Sequence, residues 1–240
     1  MNNPQTSDEI LQQEFNRWAI AGEGPNMEQH HLDITLKTLR RMDVKAGDRV
    51  LDLGCGSGWA TRLLARMVGG EGRVVGLDVS DEMVREARAA SKEFNNVVYV
   101  QGSAEQIPEE ENSFDKVLSV ESFYYYADQD RALRELFRVM APKGRLFILI
   151  NLYRDNEYSL QWVCKLRVPV HVRSEAEYVE MLRRDGFEDV EAARIPDDTP
   201  TPDDYKTKSF RSLDDLKAFK RVGALLLMAS KPQIHARSQD

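Results

Sequence analysis

Apolar residues fall in short blocks separated by stretches of helical period. Five blocks have strand length: Arg49 to Leu53, Arg73 to Asp78, Val97 to Gln101, Asp115 to Val120 and Arg145 to Ile150. The fifth is apolar enough to predict a central strand covered on both faces. Between them apolar positions recur at spacings of three and four, the mark of an amphipathic helix. Ala60, Leu63, Leu64 and Met67 form such a stripe in a helix from Trp59 to Val68. Met83, Val84 and Ala87 do so after Ser80, and Ala132, Leu133, Leu136 and Val139 do so between Asp128 and Met140. Ser80 is placed to cap its helix, with Asp81 and Glu82 at the positive end. Asn95-Asn96 turns the chain into the third strand, and Pro142-Lys143-Gly144 halts the helix before the fifth.

Both ends depart from this alternation. Residues 1–25 are polar apart from a helical stretch near Ile10 to Ile20, closed by Gly22-Glu23-Gly24-Pro25. A helix from about Met27 to Met42 puts Leu32, Thr35, Leu36 and Leu39 on one face. After the fifth strand, residues 151–173 read as a cap. Tyr153, Tyr158 and Trp162 within it would line a lid or form a small satellite core. Ser174 and Glu177 make a capping box for a helix ending at Asp185-Gly186. A sixth strand from Phe187 to Ile195, a loop rich in Pro and Asp, a short helix near Leu213 to Phe219 and a seventh strand from Gly223 to Ser230 follow. The last residues, 233–240, read as a flexible tail. Five strands alternating with helices, then two joined without a full crossover helix, predict an α/β sandwich whose final hairpin is antiparallel. Ligands of open parallel sheets bind beyond the carboxyl ends of the strands. Gly54, Asp78, Gly102 and Glu121 are therefore expected to meet at one crevice.

Charge and composition narrow the partners. The net charge is −7 over 240 residues, acids and bases are mixed, and no basic block stands out, which disfavours nucleic acid. The longest apolar runs have strand length and Met1 to Asp8 is polar, so neither a membrane span nor a secretory signal is expected. Cys55 and Cys164 lie far apart and fit no metal-ligand spacing, which predicts reduced thiols, no metal site and a cytoplasmic setting. A monomer or homodimer is expected.

The most informative stretch runs Val50-Leu51-Asp52-Leu53-Gly54-Cys55-Gly56-Ser57-Gly58. Twenty residues later a second strand ends in acid, Val74-Val75-Gly76-Leu77-Asp78. A strand, a glycine turn, a helix and a second strand tipped with a carboxylate make a nucleotide-cofactor half-site. Asp52 bears on which cofactor. The glycine turn and the helix start attract anions, yet a carboxylate one residue before the turn repels a pyrophosphate. S-Adenosylmethionine carries a sulfonium and an ammonium instead, and both favour Asp52. The spacing is G-x-G-x-G rather than the dinucleotide G-x-G-x-x-G.

On these residues, together with Phe114-Asp115-Lys116-Val117-Leu118-Ser119 and Leu133 to Gly144, the chain resembles class I S-adenosylmethionine-dependent methyltransferases from Leu32 to Pro232. The resemblance implies a seven-stranded Rossmann-like sheet of order 3-2-1-4-5-7-6, with strand seven antiparallel and helices on both faces. Residues 31–232 would be the methyltransferase domain and residues 1–30 an N-terminal lid. It further implies that Gly54, Cys55 and Gly56 border the methionine part of the cofactor, that Asp78 holds the ribose, and that Val79 packs on an adenine face. Ser103 and Ala104 would meet the adenine, and Ser119 would lie at the cofactor. Such proteins usually carry Gly-Asp-Ala-Glu after strand three. Here the stretch is Gly102-Ser103-Ala104-Glu105, so a neutral hydroxyl replaces a charged acceptor.

Methyl transfer depends chiefly on alignment, and a base is needed only for a protonated nucleophile. Glu121, at the tip of strand four, is the leading candidate. It would contact the cofactor ammonium, draw in a cationic substrate or take its proton, or serve as a plain structural acceptor. Tyr124, Tyr125 and Tyr126 follow, as aromatic walls for a planar or cationic substrate or as loop packing. His31 is a candidate base. His30, His171 and His235 read as surface residues. Trp59 is a further candidate substrate contact, whereas Arg167 and Arg173 need no ligand. The expected activity is methyl transfer to an O, N or C atom of a small metabolite. The alternatives are a cofactor-binding protein without catalysis and a methyltransferase acting on a macromolecule.

Overall fold

The chain runs through α1 (Ser7–Ile20), α2 (Gly24–Met42), β1 (Arg49–Leu53), α3 (Trp59–Val68), β2 (Arg73–Asp78), α4 (Asp81–Ala90), β3 (Val97–Gln101) and β4 (Phe114–Val120). It continues through α5 (Gln129–Val139), β5 (Met140–Ile150), α6 (Glu157–Leu160), α7 (Glu175–Arg184), β6 (Glu188–Ile195), α8 (Leu213–Val222) and β7 (Ala224–Ser230). This computed structural model describes residues 5–207 and 209–233. The expected tail beyond Gln233, and His235 with it, lies outside the described residues. The strands form one sheet of order β3-β2-β1-β4-β5-β7-β6. β7 is antiparallel to both of its neighbours, and the other pairings are parallel.

The sheet is central because β1, β2, β4, β5 and β7 are apolar on both faces, and helices cover each face. One core layer gathers Leu51, Leu53, Val117, Leu146 and Ile148 with α5 and α7. The other gathers Val50, Val74, Leu118, Phe147 and Leu149 with α2 and α3. Helix ends follow their local chemistry. Ser80 accepts from Met83 N, Asp128 from Arg131 N, and Ser174 and Glu177 form the reciprocal box read from the sequence.

Two expectations are corrected, and one alternative is decided. α3 buries Trp59, Ala60, Thr61, Leu64, Ala65 and Val68, while Met67 is exposed and Leu63 only half-buried. The helix is rotated by about one residue from the apolar stripe because Thr61 is drawn under it by a hydrogen bond to Asp52. β5 begins at Met140, so Pro142-Lys143-Gly144 sits in an irregular strand where the register against β4 shifts, with Lys143 at φ 64°. Residues 151–173 pack toward α8. Trp162 stacks edge-on against Phe210 and Phe219, and Tyr153 is buried with its hydroxyl on the Gly223 carbonyl. The cluster around Trp162 is a satellite core, and Tyr153 joins the main core.

The close approach of β2 to β3 depends on Gly76. A Cβ there would stand 2.6 Å from the Tyr99 ring and 3.0 Å from Cys55 Sγ, and Tyr99 is held by Ser91 and the Gly58 carbonyl. Gly76→Ala should therefore destabilise the protein by about 1–3 kcal/mol, the usual cost of overpacking. A lowered midpoint in urea unfolding is the expected result.

Candidate functional site

Parallel strands that end at one level bring their tips together, and the turn after β1 fixes how. Gly54, Gly56 and Gly58 all have φ between 51° and 77°, in the left-handed region that glycine enters without a Cβ penalty. A Cβ on Gly54 would lie 2.4 Å from Ser122 Cβ, and one on Gly58 2.3 Å from the Tyr99 hydroxyl. The backbone thus lies against its neighbours. Gly54 N and Cys55 N both donate to the Leu77 carbonyl, at 2.8 and 3.0 Å. Gly56 N donates to Asp78 Oδ2 at 2.8 Å, and Ser80 N to Asp78 Oδ1 at 2.9 Å. Each Asp78 oxygen keeps a second lone-pair site for a ligand hydroxyl.

Above these tips lies a pocket whose empty space, counting the part open to solvent, is about 960 Å³. Of the residues expected at the crevice, Asp52, Gly54, Cys55, Gly56, Asp78, Val79, Ser103, Ala104, Glu121 and His31 line it, as does Trp59. Ser119 and Tyr124 do not. Ser119 is fully buried beneath the floor, its hydroxyl 2.8 Å from Ser122 Oγ. Since Ser122 donates to the Leu53 carbonyl, it accepts from both Ser119 and the Tyr126 hydroxyl. Tyr124 sits behind Glu121 and donates to Glu121 Oε2 at 3.0 Å. Tyr125 and Tyr126 face the cavity in its place, because the short 3₁₀ turn Phe123–Tyr125 points successive side chains about 120° apart.

The cavity owes its other wall to residues the strand pattern did not single out. Asp8, Leu11 and Phe15 come from α1 and Met27 from α2. No residue of 151–173 lines it, so the cover comes from the N-terminal side. α1 is held there by polar contacts to the start of α4. Gln12 and Asn16 amides donate to Asp81 Oδ1 at 2.9 and 2.8 Å, and Ser80 Oγ donates to Asn16 Oδ1 at 2.6 Å. Phe15 meets Tyr125 edge-on, ring centroids 5.0 Å apart. Helical periodicity alone would have found Leu11 and Phe15 as a pair; nothing in it says what they cover. Ser103 accepts from Glu105 N at 3.1 Å, leaving one acceptor site free, and Glu105 accepts from Asp128 N.

The electrostatics of the cavity are one-sided. Asp8, Asp52, Asp78, Glu105 and Glu121 line it, and no lysine or arginine does among the described residues. Burial pushes Asp52 up to about 7, against the hydroxyl of Thr61 that donates to it at 2.6 Å and with the Asp78 charge adding to the rise. Burial also raises Asp78, opposed by its backbone donors. Glu121 is pushed up to about 7 by burial, although Tyr124 and Asn151 N stabilise its charged form. Its backbone is at φ 54°, a conformation that costs a residue with a Cβ roughly 1–2 kcal/mol. His31 is pushed down to about 4 by burial and by its neighbour His30, so it is neutral near pH 7. His30 itself is exposed and bonded to the Asn26 carbonyl. The Cys55 thiol is raised by burial, which makes it unreactive.

An open α/β sheet with a glycine turn, an acid at the tip of β2 and an acidic crevice defines a binding site for an adenosyl cofactor that bears positive charge. A diphosphate does not suit a cavity with five carboxylates and no cation. Comparison with known proteins carries this further. A family model described as "Methyltransferase domain" matches residues 51–148. A chain in the complex between the Haloferax volcanii Trm112 methyltransferase activator and a methyltransferase superposes with TM-score 0.84 at 34% identity, covering 92% of this chain and 98% of that one. A SAM-dependent methyltransferase from Aquifex aeolicus shares the fold, with TM-score 0.63 at 22% identity over 90% of this chain and 98% of its own. The ubiquinone/menaquinone biosynthesis C-methyltransferase UbiE of Pasteurella multocida is 40% identical over 109 residues, which is 44% of this chain and 41% of that relative. The matched stretch thus spans less than half of the curated relative. The chain belongs to the class I S-adenosylmethionine-dependent methyltransferases. Among the described residues, no helix is long and apolar enough to cross a membrane.

In a carboxyl-detected NMR titration of the ligand-free protein, Asp52 and Glu121 should both show midpoints near 7. Tyr124→Phe removes a donor to the charged form of Glu121, so its midpoint should rise further. A wild-type midpoint near the ordinary 4.5 would mean that water solvates the carboxylate.

Proposed function

We propose that this chain transfers a methyl group from S-adenosylmethionine to an O, N or C atom of a small metabolite. The observation that carries the reading is the cavity at the strand tips, walled by carboxylates and aromatic rings and, among the described residues, free of lysine and arginine. When bound, the cofactor supplies an electrophilic methyl group on a sulfonium. The glycine turn Gly54, Cys55 and Gly56 would border its methionine part, with Asp52 as counter-charge to the ammonium. Asp78 would accept from the ribose hydroxyls with the lone pairs its backbone donors leave free. Val79, Ser103 and Ala104 would frame the adenine.

What remains for the protein is to exclude water and align an acceptor, which can supply ~7–11 kcal/mol of a bimolecular barrier. α1 serves as the lid, since it brings Leu11 and Phe15 over the cavity. Glu121 and the neutral His31 are the groups able to take a proton from an acceptor near pH 7. A small acceptor is supported by the stretch shared with UbiE, which acts in quinone biosynthesis by its name. We place the enzyme in the cytoplasm.

A second component is supported by the likeness to a chain solved with a Trm112 activator. We infer that this chain, too, works with a small activator protein. Co-expression with a Trm112-type protein should then yield one species of 1:1 composition on gel filtration. Two separate peaks would leave the monomer or homodimer.

Calorimetry with S-adenosylhomocysteine and with NADH tests the cofactor. The thioether product should bind and NADH should not; binding of NADH alone would overturn the reading. Asp78→Ala should weaken S-adenosylhomocysteine roughly tenfold or more, the scale of hydrogen bonds to a charged group.

A further inference from the structure

Glu121 is a half-buried carboxylate that no cation faces among the described residues. Its Oε1 takes one backbone N–H, from Asn151 at 2.6 Å, and its Oε2 takes the Tyr124 hydroxyl at 3.0 Å. Both donors are neutral. The groups that face the same cavity are Asp52 from β1, Asp78 from β2, Glu105 from the loop after β3, Asp8 from α1, and His31 from α2. None of the acids can serve as a counter-ion, and His31 is held neutral by its own burial. Yet the main chain adopts a left-handed conformation at this residue, the kind of local strain that persists at sites where a side chain must be aimed. The wall next to it is aromatic: Tyr125 and Tyr126 follow in sequence, and Phe15 closes on Tyr125 from α1.

We propose that the methyl acceptor is a small amine with an apolar or aromatic body, bound as its ammonium against the Glu121 carboxylate with the body lying against the wall formed by Phe15, Tyr125 and Tyr126. This rests on the methyltransferase reading above and narrows it. A carboxylate or phosphate ester acceptor would enter a cavity that repels it and would find no basic side chain. A neutral phenol would offer Glu121 only another neutral hydrogen bond and leave its charge without a counter-ion. An ammonium satisfies the carboxylate and also gains from the π faces of the adjoining rings. It also resolves the chemistry at nitrogen. The bound ammonium has no lone pair; one N–H proton passes to the Glu121 carboxylate, leaving a neutral amine and a carboxylic acid, with charge and atoms conserved. The freed lone pair is the nucleophile.

The test is binding, measured by calorimetry on the full chain saturated with S-adenosylhomocysteine, with phenethylamine, phenethyl alcohol and phenylacetate as probes. Phenethylamine should bind on the order of tenfold or more tighter than the alcohol, the margin of a charge-assisted over a neutral contact, and phenylacetate should not bind. Equal or tighter binding of the alcohol or of phenylacetate overturns the proposal. Glu121→Gln should abolish the preference for the amine while S-adenosylhomocysteine affinity stays unchanged, which also reports that the variant is folded. Loss of S-adenosylhomocysteine affinity from a folded variant, with the amine preference kept, would assign Glu121 to the cofactor and overturn it equally. If Glu121→Gln does not fold, the wild-type ranking of the three probes decides alone. Failure of the wild-type protein to bind S-adenosylhomocysteine at all would instead sink the methyltransferase reading, and this proposal with it.

Discussion

The site depends on one contact, the hydrogen bond from Gly56 N to the Asp78 carboxylate, 2.8 Å across the gap between two strand tips. It exists only because the turn after β1 can run at positive φ, and because Leu77 offers its carbonyl to Gly54 and Cys55. Three backbone N–H groups that could have cradled an anion are thereby aimed at groups of the protein itself. The acid of β2 is consequently fixed in place, burial raises its pKa against these donors, and it turns the outer lone pairs of its oxygens to the cavity. A turn built this way selects against the phosphates that similar glycine turns bind in dinucleotide folds.

From that point the burial of the remaining acids follows. Asp52 lies one residue before the turn and is covered by α3, whose Thr61 donates the hydrogen bond that makes this tolerable. Glu121 ends β4 on the other side and is covered by Tyr124 and the start of the chain after β5. Each acid sits within a shell of neutral donors. The cost of burying a carboxylate is reduced in that way but not cancelled, and both groups respond by holding protons up to about pH 7.

Much of this was legible in the sequence, for a physical reason. Strand blocks, the glycine turn, Asp52 and Asp78 are local patterns, each set within a few residues, and the resemblance supplied the strand order that local pattern cannot. The failures are all matters of phase or of distance along the chain. α3 is rotated because Thr61, outside the apolar stripe, is pulled inward by an acid nine residues away. Tyr124 and Tyr125 exchange roles because a 3₁₀ turn distributes its side chains differently from a helix or a strand. Residues 151–173 also read as a cap, yet Trp162 packs on Phe210 and Phe219 and Tyr153 joins the main core. α1, within the segment expected as an N-terminal lid, lines the cavity, and what pins it is a set of contacts between Gln12 or Asn16 and Ser80 or Asp81, 64–69 residues apart. Polar residues on a helix surface give no sign of such partners.

The same long-range contacts tie the cover to the floor. Ser80 donates to Asn16 of α1, caps α4 through Met83 N, and gives its own N–H to Asp78. A single residue therefore links α1, α4 and the acid at the tip of β2. Any ligand that repositions Asp78 acts on a group two bonds of this network away from α1. α1 and the acid at the cavity floor are thus joined through a single residue, by one hydroxyl and one backbone N–H. Because hydrogen bonds of this sort contribute only about 0.5–1.5 kcal/mol each, the lid is held firmly enough to shape the cavity and weakly enough to release what the cavity holds.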